Sequence, residues 1–491
     1  MMRRFCALIL TATFSQVVQI GCAEEKRAHI TVDCSQIAAT VSEYAFGAFA
    51  GPFNDPKGLA LCREGGFTLI EPLYDLRLGS ALKPAEAAAP RLANTALEVL
   101  GQVEKCLELG MAVMPALTVA KVPEDPESFK EQILDYVKEV QKISKHHDNH
   151  VRLFRFGNEP EFRHFWSGSY LELFQTFELW ARAIKAAYPD VLTVGPGFAF
   201  PSEKGGEAPT ELIKEFIQYC DRKKVPLDVL AIHNYGVEPY ISFGLPIRTI
   251  KNYIRSYPNL SPIFGTPKVA VNEWNFFAAP PGQYNPIFDS VWTAAHNAAA
   301  MIEMLKQEPY IIVRNGGCSI DVTNPHSERD ADFILITKNY LKKPSYSAME
   351  GINRFLNFPH LVSVKSDSRH FVALAGLSKD QQSLYLAVSH YPFMQMLNGS
   401  ERFPFHVDID PIERELLAAE KEDIKAKDYR ITLDSLPFAK SEKIRFRCYR
   451  VDEKLRGELV EEREFPQKER IELDRNSRAP GVDFIIIDAM Q

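Results

Sequence analysis

The chain has 491 residues, 46% hydrophobic, 25% charged and 11% aromatic, a globular composition with material for a large core that excludes a disordered, collagenous or coiled-coil protein. Its 57 Lys and Arg against 64 Asp and Glu give a formal charge of −7, and without a basic run nucleic acid is excluded as the default partner. At roughly 100–200 residues per domain the length predicts two or three domains, of which an α/β barrel can take more than 250 residues.

Residues 1–23 read as an export leader: Arg3 and Arg4, an apolar stretch over 5–14, then Gly21, Cys22 and Ala23 before Glu24. Cleavage after Ala23 would release a secreted or periplasmic protein. Cleavage before Cys22 would leave a lipid-anchored surface protein; Gln19, where lipoprotein leaders usually carry Leu, favours the first. No other apolar run reaches the roughly 18 residues that span a bilayer, so no integral membrane segment is expected. Cys34, Cys62, Cys106, Cys220, Cys318 and Cys448 lack C-x-x-C spacing. They signal neither zinc nor a redox motif and read as small buried hydrophobes, with disulfides left open by export.

A lone strand over 30–33 precedes a repeating pattern and could join a later sheet. From about residue 45 to 357, short apolar runs alternate with helix-period segments, the mark of repeated βα units. Strands are expected over 45–49, 68–72, 112–117, 153–158, 192–196, 229–233, 268–272 and 311–315. Between them Ala96, Val99, Leu100, Val103, Cys106 and Leu107 form a helical stripe closed by Gly110, and Tyr170, Leu173, Phe174, Phe177, Trp180, Ala181 and Ile184 form another. Eight such units close a (β/α)₈ TIM barrel over 24–357. Gly47-Ala48-Phe49-Ala50-Gly51 does not match the phosphate-binding turn of a doubly wound sheet. The segments 198–210, 274–289 and 315–332 are long and rich in aromatics, Gly and Pro, as on the catalytic face of a barrel. Beyond Asn357, β-like runs over 360–365, 371–375, 383–389, 403–409, 429–433, 444–451 and 483–489 predict a C-terminal antiparallel β-sandwich over 358–491, with a charged, solvated stretch at 413–427.

Two strand ends carry chemistry. Phe154-Arg155-Phe156-Gly157-Asn158-Glu159-Pro160 sets a polar triplet at the end of an apolar strand, and Val269-Ala270-Val271-Asn272-Glu273-Trp274-Asn275 repeats the situation three strands later. Either glutamate alone could be a salt-bridge or cap partner. Two carboxylates at one end of a barrel can instead converge, one protonated and one ionised, as splitting a glycosidic bond requires. The cluster His146-His147-Asp148-Asn149-His150 precedes strand four and so belongs to the bottom face as a polar turn rather than a metal site. No His-x-His strand end is present, and neither a metal nor an organic cofactor is expected.

Gly157-Asn158-Glu159-Pro160-Glu161-Phe162, with Phe165-Trp166, Ala181-Arg182-Ala183-Ile184-Lys185 and Val194-Gly195-Pro196, resembles the clan A glycoside hydrolases, most of all family 39, which holds β-xylosidases and α-L-iduronidases. The resemblance runs over about 45–357. It implies that Glu159 is the acid/base, Glu273 the nucleophile and Asn158 the partner of the sugar 2-hydroxyl. Asp228-Val229-Leu230-Ala231-Ile232-His233-Asn234-Tyr235 resembles the strand-six motif, which implies that His233 hydrogen-bonds in the pocket and Tyr235 orients Glu273. The stretch Lys343 to Met349 with Ile352-Asn353-Arg354-Phe355 is similar to the last barrel helix. Strand two departs from the family: it reads Thr68-Leu69-Ile70-Glu71-Pro72, where relatives tend to have an Arg and a His, and Arg77 is the candidate for the missing cation. Trp166, Phe276, Phe277 and Tyr284 are candidates for a wall against the sugar, with core packing or loop anchoring the alternative, and Trp274, beside Glu273, is a further candidate for substrate binding. The expected partner is an oligosaccharide or glycoside substrate. A barrel that binds carbohydrate without cleaving it is the competing reading, and assays on aryl glycosides separate the two.

Overall fold

The computed structural model describes residues 27–50, 56–75, 96–147, 151–203, 206, 208–276, 286–316, 334–336, 340–393, 428–438, 442–477 and 479–490. Strand β1 (Ala28–Thr40) leads into β2 (Gly47–Ala50), α1 (Pro56–Glu64), β3 (Leu69–Asp75), α2 (Ala96–Glu108), β4 (Ala112–Val113), β5 (Ala116–Thr118), α3 (Pro126–His146), β6 (Leu153–Phe156), α4 (Tyr170–Ala187), β7 (Leu192–Val194), α5 (Glu211–Lys223), β8 (Val229–Tyr235), α6 (Leu245–Ile254), β9 (Lys268–Asn275), α7 (Val291–Leu305), β10 (Ile311–Arg314) and α8 (Pro344–Asn353). All eight expected barrel strands form. The third is split into β4 and β5 around Pro115, whose missing N–H interrupts a ladder. Strands β2 through β10 pair in parallel, and β2 joins both β10 and β3, which closes the ring.

The helices cover the outside because their apolar stripes demand it. In α4, Leu173, Phe174, Phe177, Trp180, Ala181 and Ile184 are buried, and Ser169 opens the helix with a capping box to Glu172. Helix α7 is buried on nearly every side, being packed between the barrel and a second sheet. No helix among the described residues is long and apolar enough to cross a membrane.

That second sheet takes β11 (His360–Ser366), β12 (Phe371–Leu377), β13 (Ser383–His390), β14 (Asp428–Asp434), β15 (Lys443–Val451), β16 (Arg456–Pro466), β17 (Arg470–Asn476) and β18 (Gly481–Ala489). Their order is β16-β15-β18-β13-β12-β11-β1-β14-β17, antiparallel except where β1 runs beside β14. The two ends of this order face one another. Arg475 on β17 donates to Glu461 on β16 and to Cys448 Sγ on β15, and Tyr429 Oη on β14 donates to Asp483 on β18 at 2.6 Å. The sheet therefore folds over one core, and the two layers of the sandwich are one continuous ladder. On β13, Leu384, Leu386 and Val388 enter that core while Tyr385 and Ala387 face the barrel. There Tyr385 Oη donates to Gly351 O at 2.6 Å and Ser389 Oγ to Ala295 O at 2.7 Å.

Two strands were not expected. β16 is a charged, mostly exposed edge, and β17 buries only alternate residues, so neither carries an apolar run. The expected leader at 1–23, the expected strand at 403–409 and the charged stretch at 413–427 lie outside the described residues. Cys34, Cys106, Cys220 and Cys448 are buried free thiols, whereas Cys62 is disulfide-bonded.

Candidate active site

Inside the barrel, side chains alternate in and out along each strand, so inward residues two apart stack in layers. The lower layer is apolar, with Leu69, Leu153, Val229 and Ala270 among its members. One step of two further along each strand, the inward residue turns polar: Glu71, Arg155 and, two steps up, His233. Strand β9 gains an extra residue here. Ile232 pairs with Val271 but His233 with Glu273, and this bulge brings the neighbours Asn272 and Glu273 to the same pocket.

Directly after β6, Gly157 turns the chain with φ +77°, and Glu159 itself holds φ +41°, a backbone strained for a non-glycine residue and of the kind that clusters at functional sites. Its N–H donates to Gly197 O at 2.7 Å. The Glu159 Oε1 hydrogen-bonds His233 Nδ1 at 3.0 Å, and Glu273 Oε2 lies 3.7 Å from the same nitrogen. An oxygen of each carboxylate and a ring nitrogen of His233 all fall within 4.8 Å of one another. Glu273 Oε1 accepts from Tyr235 Oη at 2.6 Å and from Asn315 Nδ2 at 3.0 Å. Burial pushes the Glu159 carboxyl up, against His164 and Arg155, and pushes His233 down to about 4, so that His233 is a neutral bridge between the acids.

Beneath the pair lies a buried ion pair. Arg155 Nε donates to Glu71 Oε1 at 2.5 Å, and Arg155 also donates to Gly157 O and to Asn158 Oδ1. With its oxygen taken by Arg155, Asn158 keeps its amide N–H groups for another partner. Burial pushes Glu71 up to about 7 despite the guanidinium beside it. The departure on strand two thus has a partner: strand two supplies the anion and strand four the cation, two roles that sequence reasoning did not assign. Arg77 lies outside the described residues. A charged residue interrupting the apolar runs Leu153–Phe156 and 68–72 was the available signal.

Asn158, Glu159, His233, Tyr235 and Glu273 are brought together. The expected aromatic wall is not: Trp166 and Trp274 have almost no exposed surface. Trp166 Nε1 donates to Ser169 O at 2.9 Å, anchoring the start of α4, and Trp274 packs behind Glu273 against Phe243 and the Arg314 guanidinium. Phe276 is buried beside His296, and Phe277 and Tyr284 lie outside the described residues. Asn315 was missed; it is a polar residue directly after an apolar strand, the same signal that marked Glu159. His147 caps α3 at the bottom face. Two carboxylates and a neutral imidazole could in principle grip a divalent cation, but Glu273 Oε1 and His233 Nδ1 are already committed to hydrogen bonds.

A parallel barrel with two glutamates facing each other at the C-terminal ends of its fourth and seventh strands has the arrangement of a glycoside-cleaving barrel. The chain belongs to the glycosyl hydrolases family 39, whose model matches residues 122–390. It is 25% identical over 201 residues to a β-xylosidase of Geobacillus stearothermophilus, a match covering 37% of this chain and 36% of that protein, so it spans about a third of that relative's length. Among solved structures it is similar in fold to a glucosidase from Croceicoccus marinus, with 18% identity, TM-score 0.69, and 95% of this chain and 100% of the other covered. It is similar also to the family 39 enzyme of Xanthomonas axonopodis pv. citri, with 14% identity, TM-score 0.66, and 94% and 98% covered.

Proposed function

We propose that the protein is an exported, exo-acting retaining glycosidase. The observation that carries this reading is that an oxygen of Glu159 lies within 4.8 Å of an oxygen of Glu273, an approach that suits a retaining pair better than the roughly 6.5–9.5 Å separation by which inverting pairs admit a water. Glu159, held toward its protonated form by burial, gives its proton to the leaving oxygen as the C1–O bond breaks. Glu273 Oε2 attacks C1 while Oε1 is steadied by Tyr235 and Asn315. Glu159, now ionised, takes a proton from water, whose oxygen displaces Glu273 and frees the sugar with its configuration retained. Asn158 donates to the 2-hydroxyl. The leader at 1–23 and the disulfide of Cys62 support an oxidising compartment.

The test is a panel of aryl glycosides, beginning with xylose and glucose, the sugars in the names of similar proteins. Glu273→Ala is expected to lose several powers of ten on every substrate. Glu159→Ala should fail most on poor leaving groups and regain turnover with added azide, the product keeping its configuration. The opposite pattern exchanges the two roles, and full activity in both variants overturns the reading.

A further inference from the structure

Trp166, Trp274 and Phe276 are buried away from the pocket, yet two phenylalanines near Glu159 are left open. Phe162 is 37% exposed and Phe200 is 53% exposed; their ring centroids lie 5.6 Å apart, and His164 stacks on Phe162 at 5.7 Å. Leaving part of each ring in water forgoes some of the stabilisation that its burial would give. They are also held in place. Phe162 N–H donates to Glu159 O at 3.0 Å, Phe200 N–H donates to the Glu161 carboxylate at 3.2 Å, and Thr210 Oγ1 donates to Phe200 O at 3.0 Å. Order in an exposed apolar pair means its shape is fixed before anything binds, which lowers the cost of binding.

Their place is set by the acid. Phe162 follows Glu159 by three residues, the two segments 159–162 and 197–200 are tied by Glu159 N–H to Gly197 O, and the charge of His164 acts on the Glu159 carboxyl. The nucleophile's supports, Tyr235 and Asn315, come from other strands. On the reading of Glu159 as the acid, a leaving group departs on its side of the pocket. On this rim Glu161 gives one oxygen to Phe200 N–H while its other oxygen is buried away from solvent, and Arg163 donates to Ser167 O at 3.0 Å, so what the surface presents beside them is ring faces.

We propose that Phe162 and Phe200 form a site for an aromatic leaving group, making glycosides of phenols the preferred substrate class. This rests on the glycosidase reading above. The test compares kcat/KM for an aryl glycoside, a disaccharide and the glycosyl fluoride of one sugar, in the wild type, Phe162→Ala and Phe200→Ala. The fluoride has no ring to seat and reads the sugar site and nucleophile alone. Each variant is expected to lower the aryl-to-fluoride ratio about fivefold, which corresponds to about 1 kcal/mol, the order of an aromatic contact beyond area. A ratio within twofold of wild type overturns the proposal. So does a fall confined to the disaccharide, which makes the rings a sugar subsite. Calorimetry with p-nitrophenol alone gives a readout that needs no catalysis: binding to wild type weakened in Phe200→Ala supports the site, and equal or absent heats in both overturn it. A wild type that binds p-nitrophenol but cleaves no fluoride refutes the glycosidase reading and leaves the aromatic site standing.

Discussion

Gly197→Ala tests whether the floor of the pocket is packed as tightly as its hydrogen bonds imply. Gly197 has no positive φ, so alanine is allowed by the backbone and the effect is one of contact. The added Cβ would stand 2.7 Å from His233 Nε2, 2.9 Å from Arg155 Nη1 and 3.3 Å from Asn272 Oδ1, the first about 0.8 Å inside ordinary contact. None of these atoms is the loose end of a flexible chain: Arg155 is tied to Glu71, Gly157 and Asn158, and His233 to Glu159. Overpacking of this kind costs about 1–3 kcal/mol. The displacement reaches Glu159 through both His233 and the Gly197 carbonyl, and a misplacement approaching 1 Å costs about a hundredfold in rate. The assay is kcat/KM on an aryl glycoside beside a urea midpoint, with Gly101→Ala as the control. In the middle of α2 that Cβ meets nothing within 4 Å, and alanine should add roughly 0.5–1 kcal/mol with unchanged kinetics. Gly197→Ala with kcat/KM within threefold of wild type, or with stability lost and activity kept, would refute the reasoning.

Tyr235→Phe removes the 2.6 Å donor to Glu273 and leaves only Asn315 on that oxygen; a charge-assisted hydrogen bond of about 1.5–3 kcal/mol predicts a loss of roughly 10- to 100-fold in kcat/KM, and an unaltered value would mean that the phenol does not steady the nucleophile. Acid should destabilise the fold through its buried histidines. Burial pushes His296 and His390 to about 3 and His233 to about 4, so between these values and 6.5 the unfolded chain binds more protons and stability falls as pH falls. The loss by pH 4 is on the order of 3 kcal/mol per histidine. His390→Gln should therefore flatten the fall in urea midpoint from pH 7 to 4, and an equally steep fall would show that His390 is not held neutral.

Much of this was readable beforehand because parallel barrel strands are buried on both faces and leave continuous apolar runs. The same contrast exposed Glu159 and Glu273, polar groups standing where an apolar run stops. Long-range partners leave no such trace. Glu71 and Arg155 meet across 84 positions of sequence, and the bulge that turns Glu273 inward depends on β8 as much as on β9. Aromatic residues in a motif read alike whether their faces are open or covered, which is why Trp166 and Trp274 were expected at the sugar and Phe162 and Phe200 were not. β16 and β17 escaped for the converse reason, being strands whose stability comes from pairing rather than from an apolar face.

One feature of the second sheet governs how the molecule can be made. β1 is flanked by β11 and β14, so the barrel is spliced into the sheet between one strand and the rest. During synthesis, β1 must wait while about 320 further residues emerge before its first neighbour exists, a delay on the order of tens of seconds at ribosomal speed. Throughout that interval its 13 residues present two bare edges, each a template for another chain. A truncation ahead of β11 would make that exposure permanent, whereas a circular permutant opening at β11, with β18 joined on to β1 and the barrel last, would carry β11 and β14 before their partner arrives.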